Sequence, residues 1–258
     1  MKIGMIGRGA IARYVSAGLE TRGHGVAAIL VRSGTVAPGA KLEIDTVDAV
    51  PGDVDLMIDC AGHQALASYG PAILSRGTDM ITVSIGALAD PDVSGALEKA
   101  ADKGGARLHL ASGAIGALDC LAAARVGSLT SVTYTGRKPP AGWKGSAAED
   151  TINLDAVSDA VRTHFDGSAR DAALSYPKNA NVAAAVALAG LGFDATRVRL
   201  IADGRIDQNI HQIDATGDFG TLSFQISGNA LPDNPRSSAL AAMSVLSKLD
   251  QITGRIVL

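Results

Sequence analysis

KIGMIGRGAIARYV, residues 2–15, is the stretch on which the fold turns. KIGMI is a short apolar run closed by a glycine, the pattern of a buried strand. Gly7-Arg8-Gly9-Ala10-Ile11-Ala12 follows, a G-x-G-x-x-A pattern. Gly7 permits a tight turn, Gly9 lets phosphates approach the backbone with no Cβ in the way, and the small Ala12 lets the next helix lie close to the strand. Helical sequence then runs from about Ala10 to Arg22, so the first N–H groups and the positive end of the helix dipole face the same phosphates. Glycines alone would say little; a strand before and a helix after give the pattern its meaning. The stretch reads as a dinucleotide-binding turn, with Gly7, Gly9, Ala10 and Ile11 at the pyrophosphate.

The alternation continues outward. GVAAILV (25–31) reads as a second buried strand, and residues 32–52 hold at most one short strand near Glu43–Thr46. DVDLMIDCAG (53–62) enters a glycine turn, helical sequence runs to Arg76, and MITVSIG (80–86) is the next strand. A helix over Pro91–Gly104 takes Asp90 as its N-cap, and RLHLAS (107–112) closes the series. Strands this apolar are covered on both faces, so residues 1–112 are predicted to form a Rossmann-type, doubly wound parallel sheet. Ligands of such sheets lie at the carboxyl ends of the strands, which places Gly62 and His63 at the cofactor. No Asp or Glu stands between Thr21 and Leu42, and the second strand ends Val31-Arg32-Ser33. A carboxylate there would bind the ribose 2′-hydroxyl and repel a 2′-phosphate, whereas Arg32 beside Ser33 tolerates or favours the phosphate. NAD or NADP is the expected cofactor. Asp53, Asp55 and Asp59 read as solvated strand ends.

After Ser112 the pattern changes. A short helix near Ala117–Val126 leads into SVTYTGRKP (131–139), which alternates apolar and polar residues, as do 198–202, 209–215 and 221–227. This is the signature of an antiparallel or mixed sheet with one covered face. Helical segments are expected at 151–165, 168–176 and 180–192. Residues 113–235 thus form a second, α/β domain, and a tail helix within 236–258 is expected to pack back on the first.

The chain has 258 residues, of which 47% are hydrophobic and 3% aromatic, with 30 glycines. A core of Ala, Val, Leu and Ile packed against glycine suits helix-on-sheet layers. The net charge of −3 offers no footprint for nucleic acid. No apolar run reaches the roughly 20 residues of a membrane span. Cys60 and Cys120 read as buried reduced thiols, no Cys/His cluster has metal spacing, and MKIGMIG shows no signal peptide. A cytoplasmic protein is the expectation.

Together GRGAIA (7–12), DCAGHQALASYG (59–70), VSIGALAD (83–90), SGAIGALDCLAAARVG (112–127), YTGRKPP (134–140), YPKNANVAAAVALAGLGFD (176–194), RLIAD (199–203), NIHQI (209–213) and NPRSSALAAMS (234–244) resemble the L-aspartate dehydrogenase family. The resemblance runs from the first strand to the last helix; Ala12 departs from the G-x-G-A-I-G of many members. It implies oxidation of L-aspartate by NAD(P)+ to iminoaspartate, which water converts to oxaloacetate and ammonia, and the reverse reductive amination. It also implies a homodimer, His211 as catalytic residue, and cofactor contacts at Ala114 and Asn181. A related two-domain reductase of another small dicarboxylate or amino acid, and a non-catalytic NAD(P)-binding sensor, are the competing readings.

The chemistry itself asks for a base of near-neutral pKa, to take a proton from the amine and to activate water, and for cations facing two carboxylates. His24 lies in a turn, His164 reads as a polar helix end, and His109 as a packed core residue. His211 shares a strand face with Asn209 and Ile213, a pattern that fits a base and a structural imidazole alike. Lys138, in GRKPP, and Lys178, before a helix starting near Asn179, are the candidate carboxylate partners, against the ordinary reading of solvated charges.

Overall fold

A computed structural model describes residues 1–177, 180–231 and 234–256, with Pro235 and Arg236 in backbone only. The chain divides into two compact units, one comprising Met1–Ala87, Pro91–Ala111 and Ala241–Leu258, the other Leu88–Asp90 and Ser112–Leu240.

In the first unit β1 (Lys2–Ile6), α1 (Ala10–Glu20), β2 (Gly25–Leu30), β3 (Glu43–Ile44), β4 (Leu56–Asp59), α2 (His63–Leu74), β5 (Asp79–Thr82), α3 (Pro91–Gly104) and β6 (Leu108–Leu110) follow one another. The strands form one parallel sheet in the order β3-β2-β1-β4-β5-β6. The order reverses at β1, and the crevice outside the carboxyl ends of β1 and its neighbours is where such a sheet binds ligand. Ile3, Met5, Ile58 and Ile81 are fully buried. Ala12, Val15 and Leu19 recur at helical spacing, so α1 lays one apolar face on that core.

In the second unit come α4 (Leu118–Ala124), β7 (Leu129–Lys138), β8 (Val161–Ser168), α5 (Ala169–Ser175), α6 (Asn181–Ala189), α7 (Gly192–Ala195), β9 (Arg197–Asp203), β10 (Asn209–Gly217) and β11 (Gly220–Gly228). Their sheet runs β11-β10-β7-β9-β8. β7 and β9 are parallel and the other neighbouring pairs antiparallel, so the sheet is mixed. Val132, Tyr134, Gly136 and Lys138 alternate onto the buried face of β7. A small ladder of β12 (Ala230–Leu231) and β13 (Asn234–Ser238) precedes α8 (Ala239–Thr253).

The body of α8 belongs to the first unit. Val245, Leu246 and Leu249 join Val15 and Leu19 in one cluster. Gly18 makes this close approach possible: a Cβ there would lie 2.3 Å from Leu246 Cδ1. Arg22 Nε donates to Asp250 Oδ1 at 2.9 Å across the same seam.

Two expectations are corrected. Residues 151–165 are not a helix; short 3-10 turns at Ala147–Asp150 and Leu154–Ala156 give way to β8. Leu154, Val157 and Val161 have helical spacing, but Val161, Thr163 and Phe165 favour a strand, and pairing with β9 decides between them. The helix expected over 180–192 stops at Ala189, where Gly190 leaves the helical region with φ −105° and ψ −120°; a side chain there would crowd Val186 O at 3.1 Å and Val132 Cγ2 at 3.2 Å.

Candidate active site

In the first unit the turn after β1 is shaped for a pyrophosphate. Gly7 has φ +91°, a conformation that suits glycine, and a Cβ on it would lie 2.9 Å from Ala61 Cβ. Gly9 is the N-cap of α1 and makes no side-chain cap. A Cβ on Gly9 would meet no atom of the described residues within 4 Å, so the space it faces is open. Gly7, Arg8, Gly9, Arg32, Thr35 and Ala61 are among the walls of a cleft of ≈ 520 Å³. Ala10 and Ile11 open α1, Gly62 is the N-cap of α2, and His63 is its first residue. Open backbone donors, a Cβ-free approach and a cation at the end of β2 fit a pyridine dinucleotide.

Two features behind the walls of this cleft escaped the sequence reading. The acid absent between Thr21 and Leu42 arrives through the sheet: Glu43 on β3 pairs with Ile29 on β2. Its carboxylate takes Arg8 Nη1 on both oxygens, at 2.8 and 2.6 Å, and the Ala37 N–H at 2.7 Å. These hydrogen bonds lower its pKa, so Glu43 holds Arg8 and stays ionised. Asp59 is not a solvated strand end. It is fully buried and accepts from Ala61 N at 2.9 Å, Thr82 Oγ1 at 2.7 Å and Ser84 Oγ at 2.5 Å. Burial raises its pKa while these donors oppose the rise, and the network ties the end of β4 to that of β5. Asp53 and Asp55 are exposed as expected. Cys60 is half-buried, and Cys120 is exposed rather than buried, because it falls on the outer side of α4.

In the second unit His211 and Lys138 stand on neighbouring strands. Ile210 pairs with Arg137 and His211 with Gly136, so both side chains reach the buried face at the same end of the sheet. They are 4% and 8% exposed. Tyr134 Oη lies 2.7 Å from His211 Nδ1. The Lys138 ammonium sits over the Trp143 ring, 4.9 Å from its centroid, and Trp143 in turn donates Nε1–H to Ile201 O at 3.0 Å. His164 is not on a helix end: it sits in β8 at a register shift between Thr163 and Phe165, 7% exposed, edge-on to Trp143 with ring centroids 4.4 Å apart. Such a bulge re-aims a side chain. His164 Nδ1 lies 3.1 Å from Tyr176 Oη.

Burial sets the charge state of this cluster. Desolvation pulls Lys138 down to about 8. Desolvation first, and the charge of Lys138 second, push His211 and His164 down to about 4. His211 is therefore neutral across the physiological range and able to accept a proton, but its value of about 4 lies below the near-neutral one that the chemistry asks for. Ala114 is buried in the turn after β6, and Asn181 opens α6. Lys178 lies outside the described residues. His109 is half-buried, its Nε2 3.2 Å from Asp79 Oδ2, and His24 is half-buried beside the chain's first amine. Tyr134 and Trp143 drew no notice in the sequence, although Tyr134 and Lys138 share the alternation of one strand. Among the described residues no cluster of three or more metal-ligating side chains occurs, and no helix is long and apolar enough to cross a membrane.

Residues 119–252 match the family model for the C-terminal part of aspartate dehydrogenase, and residues 3–111 match that for the NAD-binding domain of homoserine dehydrogenase. The chain is 53% identical over 255 residues to the L-aspartate dehydrogenase of Ruegeria pomeroyi, covering 97% of this chain and 92% of that relative. It belongs to the aspartate dehydrogenase family. The L-aspartate dehydrogenase of Ralstonia nicotianae is 52% identical over 195 residues, 76% of this chain and 72% of its own. The crystal structure of aspartate dehydrogenase from Thermotoga maritima superimposes with a TM-score of 0.79 at 26% identity, covering 100% of this chain and 99% of that one. As a member of this family the chain is an oxidoreductase that uses a pyridine nucleotide.

Proposed function

We propose that this member of the aspartate dehydrogenase family oxidises L-aspartate with NAD(P)+ to iminoaspartate, which hydrolyses to oxaloacetate and ammonia, and also runs the reductive amination. The observation that carries the reading is the neutral, buried His211 fixed by Tyr134 next to the Lys138 cation. Relatives named L-aspartate dehydrogenase, matched over nearly the whole chain, support the substrate.

The nicotinamide supplies the hydride acceptor. The protein binds, orients and moves protons. Gly7, Gly9, Ala10 and Ile11 hold the pyrophosphate, Gly62 and His63 line its strand-end turn, and Ala114 and Asn181 contact the cofactor. His211 takes the proton that frees the amine lone pair and later activates the water that attacks the imine carbon. Lys138 and Lys178 face the two substrate carboxylates. Arg32 accommodates a 2′-phosphate, and because Glu43 is engaged by Arg8 its carboxylate does not stand open to a ribose, so NADP serves as well as NAD. The family resemblance further suggests a cytoplasmic homodimer. The apolar face of α8 is used within the first unit and gives the dimer no separate support.

The test is a substrate panel followed by nicotinamide absorbance: L-aspartate, D-aspartate, L-glutamate, and oxaloacetate with ammonia, each with NAD(H) and NADP(H). L-aspartate with either cofactor is expected to give the fastest oxidation, and His211→Asn to lower kcat by about 10²–10⁴-fold with cofactor affinity kept. Arg32→Ala is expected to weaken NADP by about 1–3 kcal/mol and leave NAD nearly unchanged. No turnover of L-aspartate in either direction would refute the proposal.

A further inference from the structure

We infer that Tyr134 is the positioning residue of the site: its hydroxyl oxygen accepts the Nδ1–H of His211 and so leaves Nε2 as the nitrogen that takes and returns the proton. The inference rests on the reading of His211 as the base.

The two rings form a built pair. Tyr134 Oη and His211 Nδ1 are 2.7 Å apart, the side chains are 1% and 4% exposed, and the rings lie 17° from parallel with centroids 6.1 Å apart. The residues are not directly opposite each other. Tyr134 pairs with Ile213 and His211 with Gly136, so the phenol crosses the strand diagonally to reach the imidazole. Gly136 is what leaves it room, since a Cβ there would lie 2.6 Å from Tyr134 Oη and 3.1 Å from its Cζ. A bare backbone position under a tyrosine hydroxyl, between two strands already fixed in register, is a device for aiming that hydroxyl.

A neutral imidazole carries one proton, and its partner decides where. If the phenol donated to Nδ1, the ring proton would sit on Nε2, which could then only donate. If Nδ1–H donates to the phenol oxygen, the Nε2 lone pair is open. Proton uptake settles the choice, because the imidazolium bears a proton on both nitrogens and its Nδ1–H then needs an acceptor in a buried place. Tyr134 is the acceptor within reach. Burial raises the Tyr134 pKa, so the hydroxyl stays neutral and accepts without taking the proton itself. A neutral oxygen holds the cation less firmly than a carboxylate would. Beside the repelling charge of Lys138, His211 can therefore return the proton readily.

Tyr134→Phe keeps the ring and removes only the oxygen. The expected result in the full chain is a kcat lower by roughly 10–100-fold, by analogy with the hydrogen-bond partners that orient metal-bound imidazoles. KM for aspartate and cofactor affinity should change little. The acid limb of the kcat profile should move to lower pH, because the imidazolium has lost its acceptor. Long-range proton–nitrogen NMR of His211 in the unmodified protein is the second readout, with Nδ1 protonated and Nε2 bare above the His211 pKa; it needs no variant to fold. A bare Nδ1 in that spectrum would overturn the inference. So would a Tyr134→Phe enzyme with unchanged kcat and pH profile when His211→Asn is inactive. If His211→Asn itself keeps full turnover, the base reading fails, and the role of Tyr134 falls with it.

Discussion

Lys138 is held where a lysine is least comfortable, 8% exposed with its ammonium over an indole face. Its folded pKa of about 8 lies below the 10.5 of the unfolded chain. Between those values the unfolded chain binds more protons, so this residue makes stability rise with pH across that window and weakens the fold below it. Lys138→Met keeps most of the stem against Trp143 and removes the charge. The expected outcome is a KM for aspartate raised by roughly 10–100-fold, the worth of a lost hydrogen bond to a charged group. Its thermal midpoint at neutral pH should be higher than that of the unmodified protein, and its stability should no longer climb from pH 8 to 10.5. Steady-state kinetics beside thermal melts check both; a fall in midpoint would make Lys138 a packing residue. Such opposed effects are typical of a site whose chemistry strains its own surroundings. His211 and Lys138 were legible as candidates only, His211 through the family resemblance and Lys138 through the GRKPP turn. Tyr134, Trp143 and His164 were not, since what joins them to those two is strand pairing across tens of residues. Glu43 was missed for the same reason: it reaches Arg8 through the edge of a sheet rather than through the segment in which an acid was sought.

At the scale of elements, the turn and helix that open the chain separate fold from ligand binding cleanly. Gly7 is constrained by its own backbone and by Ala61, so a side chain there disturbs the protein itself. Gly9 has φ −71° and ψ −173°, which any residue adopts, and open space where a Cβ would go. Gly9→Val is therefore expected to leave the melting temperature nearly unchanged while weakening NAD and NADP alike, since its branches would occupy the pyrophosphate path. Calorimetric titration of both cofactors checks this, and unchanged affinity would move the phosphates elsewhere. β1 and the strands β9 to β11 were legible to within a residue or two from their hydrophobic patterns, and α3 from Asp90 and Pro91 at its start. β8 was not: DAVSDAVRTHF satisfies a helical period and a strand period at once, and only the open edge of β9 decides it.

For the whole molecule the two buried histidines weaken the fold in acid. His164 and His211 have folded values near 4 against 6.5 unfolded. The unfolded chain binds the extra protons in that interval, so the stability they contribute is complete above pH 6.5 and lost as pH falls toward 4. The loss is on the order of 3 kcal/mol per histidine. Denaturant midpoints measured through this range should fall steeply, and His164→Gln should flatten the slope; an unaltered slope would remove His164 from the account. A shift in periodicity near Ser112 suggested two domains; the contacts of the folded chain group Met1–Ala87, Pro91–Ala111 and Ala241–Leu258 in one unit and Leu88–Asp90 with Ser112–Leu240 in the other. The seam between α1 and α8 has a consequence for how the protein is made. Ala12, Val15 and Leu19 are synthesised more than 200 residues ahead of Val245, Leu246 and Leu249, the residues that cover them. At about 5–20 residues per second, on the order of 10 s separates the last strand of the first sheet from its covering helix. During that interval the nascent chain presents an uncapped apolar groove, so the nucleotide-binding half, whose sheet is made before the second unit, is not complete until α8 has followed that unit.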